Sequence, residues 1–288
     1  MNERRQEVDN NSTDRDEVRE RIEIELLLEG VYRMYGYDFR DYAYPSLKRR
    51  IWHQIFREQL HSISALQGKV LSDPHCVDRF VRNLSIPVTE MFRDPSMFKT
   101  FREKVVPKLR SLSSIRIWHA GCSTGEEVYS MAILLQEEGL YERTRLYATD
   151  MNSLSLQTAK EGICSLDKMK QYTKNYLEAG GKRSFSEYYS ATDEGTVILN
   201  PFLRENMIFA DHNLATDMSF NEFNVVFCRN VMIYFNDQLR NRVHRLFYES
   251  LSHNGILVLG SKESLHFTQC ESSYEELDFN EKIYRKIR

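Results

Sequence analysis

The sequence predicts an α/β protein: a mainly parallel sheet, preceded by an all-helical domain and interrupted by a small inserted antiparallel β-subdomain. Three observations carry this expectation. Beyond about residue 85, short β-type runs alternate with helical patterns over short connections, which calls for a sheet covered by helices on both faces. Before that point the chain shows no strand pattern. Within the alternating part, about 165–205 departs from it, with Gly180-Gly181, the Tyr188-Tyr189 pair and the β-like run TVIL.

Residues 1–20 are charged and nearly free of apolar side chains, so a disordered tail or a helix that frays is expected there. The helical domain is expected over 21–84 and the sheet domain over 85–288. From Ile22, the recurrence of Leu26, Leu27 and Val31 makes one apolar helix face. Gly36 and YGYDFRDYAYP break that helix, and Pro45-Ser46 mark the next start. The second helix, about 46–61, places Leu47, Ile51 and Ile55 on one face and Lys48, Arg49, Arg50, His53 and Arg57 on others. A basic face is ordinarily just solvated. Like charges so packed repel one another, however, so the second reading is a docking surface for an acidic partner. A further helix is expected from Asp73-Pro74 to about Asn83, and another over 94–111. The strands are IRIWHA (115–120), RLYATD (145–150), NMIFADHN (206–213), a run inside NVVFCRNVMIYF (224–235) and ILVLG (256–260), with KIYRKI as a closing edge strand. Helices follow the first two strands, and a polar helix covers 237–252.

Composition narrows the function classes. The chain has 288 residues, 41% hydrophobic and 28% charged, with a net charge of −3. That balance gives no general attraction to nucleic acid or to an anionic membrane. No apolar run approaches the length of a membrane span, and the polar N-terminus does not resemble a signal peptide. A cytoplasmic monomer is the expectation. The five cysteines are scattered without a C-x-x-C pair, which argues against a disulfide framework and a zinc cage; no metal site is expected.

The chemistry starts at the turn after the first strand, His119-Ala120-Gly121-Cys122-Ser123-Thr124-Gly125-Glu126-Glu127. Small residues there let backbone approach a ligand just before a helix begins. A dinucleotide site would want G-x-G-x-x-G with a pyrophosphate on the helix N-terminus. Here the spacing is G-x-x-x-G and two carboxylates follow, which repel phosphate and welcome a cation. S-adenosylmethionine (AdoMet), a sulfonium and ammonium with no phosphate, fits that polarity. The alternative is a plain strand-to-helix turn whose acids complement the helix dipole. Asp150 ends the second strand, where an acid can accept hydrogen bonds from ribose hydroxyls, or can simply cap the following helix. Asp211-His212-Asn213-Leu214 and Cys228-Arg229-Asn230 end the third and fourth strands. These are the strand ends at which open α/β sheets bind ligands.

VTEMFRDP (88–95), GCSTGEEVYS (121–130), FCRNVMIYF (227–235) and GSKESL (260–265), in this order, resemble the CheR family of chemoreceptor glutamate methyltransferases, over about 22–288. The resemblance implies a class I AdoMet-dependent methyltransferase (Rossmann-like) sheet with an N-terminal all-α domain and an inserted β-subdomain. It implies methyl transfer from AdoMet, leaving S-adenosylhomocysteine, to glutamates on the cytoplasmic domain of a methyl-accepting receptor. It also assigns Gly121 and Glu127 to the cofactor, Asp150 to its ribose, and Asn213 and Leu214 to the adenine side. Arg229 and Asn230 would line the mouth, Thr89 and Arg93 would close over the methionine moiety, and Arg93 and Tyr234 would serve the acceptor. Family members carry an asparagine two residues before the threonine, where this chain has Pro87. Three rivals stand beside this reading: a nucleotide-dependent oxidoreductase, a nucleic-acid methyltransferase and a non-enzymatic binding module. The first lacks its glycine fingerprint, the second a broad basic surface, and the third leaves the site chemistry without a use. The stretch EYYSATDEGTVILNPFLRENM lacks a long glycine-bearing loop, so recognition without a receptor C-terminal tether is expected.

Overall fold

The structure, a computed structural model, describes residues 2–85, 89–192 and 195–288, with side chains from residue 15 onward. The chain divides into two compact units, Met1–Ile86 with Tyr234–Leu239, and Pro87–Ile233 with Arg240–Arg288.

The first unit holds α1 (Asn2–Tyr35), α2 (Tyr44–Arg57), α3 (Ile63–Ser72) and α4 (Pro74–Ser85). The charged segment, expected as a disordered tail or a fraying helix, is helical and continuous with α1. Same-face pairs such as Arg19–Asp16 at 3.6 Å and Arg21–Glu25 at 3.1 Å accompany it. The apolar stripe of α1 is rotated from the expected one: Ile24, Leu27, Leu28 and Val31 are buried, while Ile22 and Leu26 are 50% and 55% exposed. In α2 a proline occupies the first turn, where its missing N–H costs nothing, and Leu47, Ile51 and Ile55 are buried as their spacing requires. α3 has no counterpart among the expected helices. Its start is signalled by Ser62, whose side chain accepts from the Ala65 N–H at 3.1 Å.

The second unit is built on seven strands in the order β6-β2-β1-β7-β8-β10-β9. These are β1 (Ile115–Ala120), β2 (Thr144–Asp150), β6 (Met207–Asp211), β7 (Phe223–Cys228), β8 (Leu251–Leu259), β9 (Tyr274–Asp278) and β10 (Ile283–Lys286). β6, β2, β1, β7 and β8 are mutually parallel, and β10 and β9 add antiparallel. The sheet is therefore mixed, and the closing run is not its edge: β10 lies between β8 and β9. The edge strand β9, YEELD, is largely polar, with Glu275 and Glu276 exposed, so no apolar run announces it. β1 has β2 on one side and β7 on the other, and the chain winds outward from it in both directions. That is the topological switch point, at which the crevice opens beyond the strands' carboxyl ends.

The helix expected over 94–111 is two, α5 (Pro95–Lys104) and α6 (Val106–Leu109), because Pro107 cannot continue the ladder of α5. α7 (Glu126–Glu137) and α8 (Ser153–Glu161) follow β1 and β2, and α9 (Met169–Glu178) lies within the insertion. The insertion's sheet has the order β3-β5-β4 and is antiparallel, with β3 (Ile163–Ser165), β4 (Tyr189–Ala191) and β5 (Thr196–Leu199). It is anchored on the end of α7. The buried Glu137 carboxylate accepts from Arg102, from the Tyr176 and Tyr188 hydroxyls and from the Lys182 N–H. α10 (Asp237–Ser250) precedes β8. Among the described residues no helix is long and apolar enough to cross a membrane.

Candidate cofactor site

Backbone geometry explains the glycine turn between β1 and α7. Gly121 sits at φ +76°, and a Cβ there would stand 2.6 Å from Val231 Cγ2. Only glycine satisfies both the left-handed conformation and the close approach of the chain beyond β7. Ser123, also left-handed at φ 51°, donates its N–H to Asp150 at 2.8 Å. Asn152 donates its own N–H to the same carboxylate at 2.9 Å. Asp150 thus braces the turn from the carboxyl end of β2. Burial pushes its carboxyl above the ordinary range against those N–H bonds, and neighbouring Asp211 adds to the rise. Ser123 Oγ is buried with no protein partner.

The two acids at the start of α7 play different parts. Glu126 turns inward, accepts from the Thr124 hydroxyl at 2.6 Å, and is pushed up by burial. Glu127 has both oxygens engaged: His119 Nδ1 lies 3.0 Å from one and Arg229 Nη1 2.8 Å from the other. Burial acts to raise Glu127, but His119 and Arg229 outweigh it and hold the carboxyl below its usual value. Arg229, its side chain 2% exposed, also reaches Asp94 at 2.6 Å and the Arg93 carbonyl at 3.3 Å. His119 is held flat on Phe227, ring centroids 4.7 Å apart. Glu127 therefore positions Arg229 while keeping lone pairs for a ligand. His119 and Asp94 belong to this cluster and are absent from the expected site. Asp94 is inconspicuous within the VTEMFRDP run, and His119 looks like one more residue of a buried strand.

Arg93 rises from a strained segment. Phe92 and Asp94 flank it at φ 52° and 55°, values that non-glycine residues rarely adopt. Phe92 is fully buried against Phe98 and Tyr176, and its N–H donates to Ser130 Oγ at 2.8 Å. Half-buried Thr89 precedes this segment. Pro87, where the family pattern would have asparagine, lies outside the described residues.

Beyond β7, Asn230 is left-handed at φ 62° and the turn is fixed by Glu263, a residue that sequence reasoning does not single out. The buried Glu263 carboxylate accepts four backbone N–H bonds, from Asn230 and Gly260 on one oxygen and Val231 and Met232 on the other, at 2.7–2.9 Å. Its one signal is the GSKESL motif itself: an acid in a loop that closes on another loop's N–H groups. After β6, Asn213 Oδ1 accepts from the Ala215 N–H at 2.9 Å, so part of its side chain is spent on its own turn, and Leu214 is buried beside it. Gly121, Glu127, Asp150, Asn213, Leu214, Arg229 and Asn230 all lie at or just beyond the carboxyl ends of β1, β2, β6 and β7. Tyr234 belongs to the helical unit, in a 3-10 turn. Its carbonyl accepts from the Ala43 N–H at 2.8 Å, and the Arg50 guanidinium lies 5.3 Å from its ring centroid.

The basic set on α2 divides. Lys48 is paired with Glu20 at 2.5 Å, and Arg50 donates to the Asn83 carbonyl at 2.9 Å, so both serve the unit's own packing. Arg49, His53 and Arg57 remain exposed.

The crevice fits AdoMet. A glycine cradle closed to any Cβ, an unpartnered buried hydroxyl on Ser123, and carboxylates at both Glu127 and Asp150 suit a cationic nucleoside and oppose a phosphate. Comparison with known proteins agrees. Residues 87–280 match the family model described as CheR methyltransferase, SAM binding domain, and residues 22–85 match its all-alpha domain. A relative named putative methyltransferase Cher3, from Pseudomonas putida, is 54% identical over 92% of this chain and 97% of its own length. A chemotaxis protein methyltransferase of Listeria monocytogenes is 28% identical over 82% of this chain and 87% of its own. Another from Pseudomonas aeruginosa is 30% identical over 62% and 66%. The chain belongs to the CheR methyltransferase family, and its cofactor is S-adenosylmethionine.

Proposed function

We propose that this methyltransferase esterifies glutamate side chains on the cytoplasmic domain of a methyl-accepting receptor. The observation that carries the cofactor half is the glycine turn beyond β1, lined by acids and braced by Asp150. Family membership supports the acceptor half. Such an acceptor sets the cytoplasm as the compartment, and a monomer is the expected form.

Bound AdoMet supplies an electrophilic methyl on a sulfonium that leaves as neutral S-adenosylhomocysteine. A glutamate acceptor, with an unperturbed pKa of about 4.3, is already ionised at neutral pH, so the protein needs no general base and no proton moves. Its carboxylate oxygen forms the new C–O bond as the C–S bond breaks. The task left to the chain is positioning. Glu127 and Asp150 hold the ammonium and ribose ends, and Asn213 and Leu214 flank the adenine. Thr89 covers the methionine moiety. Arg229, fixed by Glu127 and Asp94, and Asn230, fixed by Glu263, keep the mouth in shape. Arg93, presented between two left-handed residues, orients the acceptor carboxylate by a charge-assisted bond. It must orient without clamping, since a tight ground-state pair would slow transfer. The family resemblance assigns Tyr234 to the acceptor as well.

Transfer of radiolabelled methyl from AdoMet to purified receptor cytoplasmic domains tests this. The label should be base-labile and released as methanol, the mark of a carboxyl ester. Arg93→Ala should cut turnover roughly ten- to hundredfold, more than it weakens AdoMet binding. Stable label on nitrogen, or an Arg93→Ala protein of native turnover, would refute the ester chemistry or the orienting role respectively.

A further inference from the structure

The loop after β8 carries a feature that cofactor binding does not use. β8 runs parallel to β7 and β1, so residues 260–273 emerge at the same end of the sheet as Gly121 and Arg229. The loop is tied to the reaction centre through Glu263, whose carboxylate takes the N–H groups of Asn230, Val231 and Met232. Two buried side chains, Leu265 and Cys270, pin the loop beyond Glu263, and His266, Phe267, Thr268 and Gln269 project between them.

At the tip, Phe267 is 99% exposed and left-handed at φ 64°. Both features are costly for this residue: the backbone conformation suits glycine or asparagine, and the ring stays in solvent beside the His266 ring, centroids 6.5 Å apart. The tip is nonetheless fixed. Glu271 accepts the Phe267 N–H at 2.9 Å with one oxygen and meets His266 Nδ1 at 2.8 Å with the other. The Leu265 carbonyl accepts from both the N–H and the hydroxyl of Thr268, at 3.1 and 2.6 Å. Gln269 is held by Arg245 at 2.9 Å. The braced backbone fixes where the ring is presented, so little backbone freedom remains to be lost on binding. It lies four positions beyond Glu263, which keeps its Cα within about 15 Å of that anchor. Exposed Lys262, at the root of the loop, has no carboxylate partner among the described residues.

We propose that Phe267 is an acceptor-recognition anchor: it inserts against an apolar side chain of the receptor segment carrying the target glutamate, while Lys262 faces that segment's acidic residues. The occupant follows from the loop's place on the mouth through which an anionic side chain must enter, and from the charge of Lys262. The inference rests on the glutamate-methylating reading above. It makes Phe267 a specificity-determining residue, with no part in holding the cofactor.

The test uses the full chain, wild type, Phe267→Ala and Phe267→Asn, with AdoMet and a purified receptor cytoplasmic domain. Phe267→Asn matters because asparagine tolerates the left-handed backbone, so its melting temperature should equal or exceed that of wild type. Both variants should raise KM for the receptor domain by roughly five- to thirtyfold and leave AdoMet affinity within about twofold. Unchanged KM in both variants overturns the proposal. So does a parallel loss of AdoMet affinity, which would mean the loop merely shapes the cofactor site. A change of oligomeric state on removing the ring would make the patch a contact between copies and overturn it too. Failure of the wild type to label any receptor domain would sink the glutamate reading, and this inference with it.

Discussion

Asp150 shows how a single carboxyl can carry both architecture and binding. Its oxygens take N–H groups from Ser123 and Asn152, and burial raises its pKa above the ordinary aspartate value near 3.8. The sign follows from linkage. A carboxyl whose folded-state pKa is raised favours folding at low pH, and that contribution is lost as pH rises through the folded value. Cofactor binding has the opposite sign, because ribose hydroxyls need the ionised form as acceptor. AdoMet affinity, measured by calorimetry, should therefore fall as pH drops through the raised pKa, in a window lying above 3.8. Asp150→Asn should flatten that part of the profile and bind AdoMet more weakly at every pH. A wild-type affinity that is independent of pH down to about 4 would remove Asp150 from the ribose. At this scale the sequence is partly legible. Asp150, Gly121 and Glu127 stand out because their chemistry is local to a strand end. His119, Asp94 and Glu263 do not, because their meaning depends on partners 8 to 135 residues away.

At the scale of elements, the site is three turns fastened to one another. The β1–α7 turn is braced by Asp150, the turn after β7 presses Val231 onto Gly121, and the loop after β8 closes on that turn through Glu263. Glu263→Gln keeps the shape of the side chain but replaces one acceptor oxygen with an NH2 donor. Two of the four backbone N–H groups then face a donor in a buried place. The expected cost is about 2–4 kcal/mol by urea denaturation, with weaker AdoMet binding, as the turn bearing Arg229 and Asn230 loosens. Native stability in this variant would show that the turn holds its shape without the carboxylate. Strand and helix positions in the parallel part can be read from periodicity, since β1, β2 and β6 have apolar runs bounded by turns. β9 cannot, being a polar edge strand. α3 escapes for the opposite reason: ISALQGKVLS is short, its glycine weakens the pattern, and its stability comes from packing Ile63, Leu66 and Val70.

For the molecule as a whole, the distribution of charge matters more than its sum. A net charge of −3 would repel an acidic substrate, so attraction has to be local. On α2 the packing consumes Lys48 and Arg50 and leaves Arg49, His53 and Arg57 facing outward, four residues apart on successive turns. Phe56, 82% exposed, stands on the same turns and offers an apolar contact that salt does not screen. We propose this face as a docking surface for the receptor domain, acting through exposed surface cations whose pull falls off over a Debye length of about 8 Å at physiological salt. The double variant Arg49→Glu with Arg57→Glu should raise KM for the receptor domain about tenfold or more at low ionic strength, from roughly 1 kcal/mol per reversed charge. AdoMet affinity should stay unchanged, because Glu127, Asp150 and Arg229 all lie in the other unit. The diagnostic is the salt titration of KM. Wild-type KM should climb with salt as attraction is screened, while that of the double variant should fall as repulsion is screened, so the two curves converge on the part set by Phe56. Parallel curves would mean that the exposed basic face of α2 is solvated and nothing more.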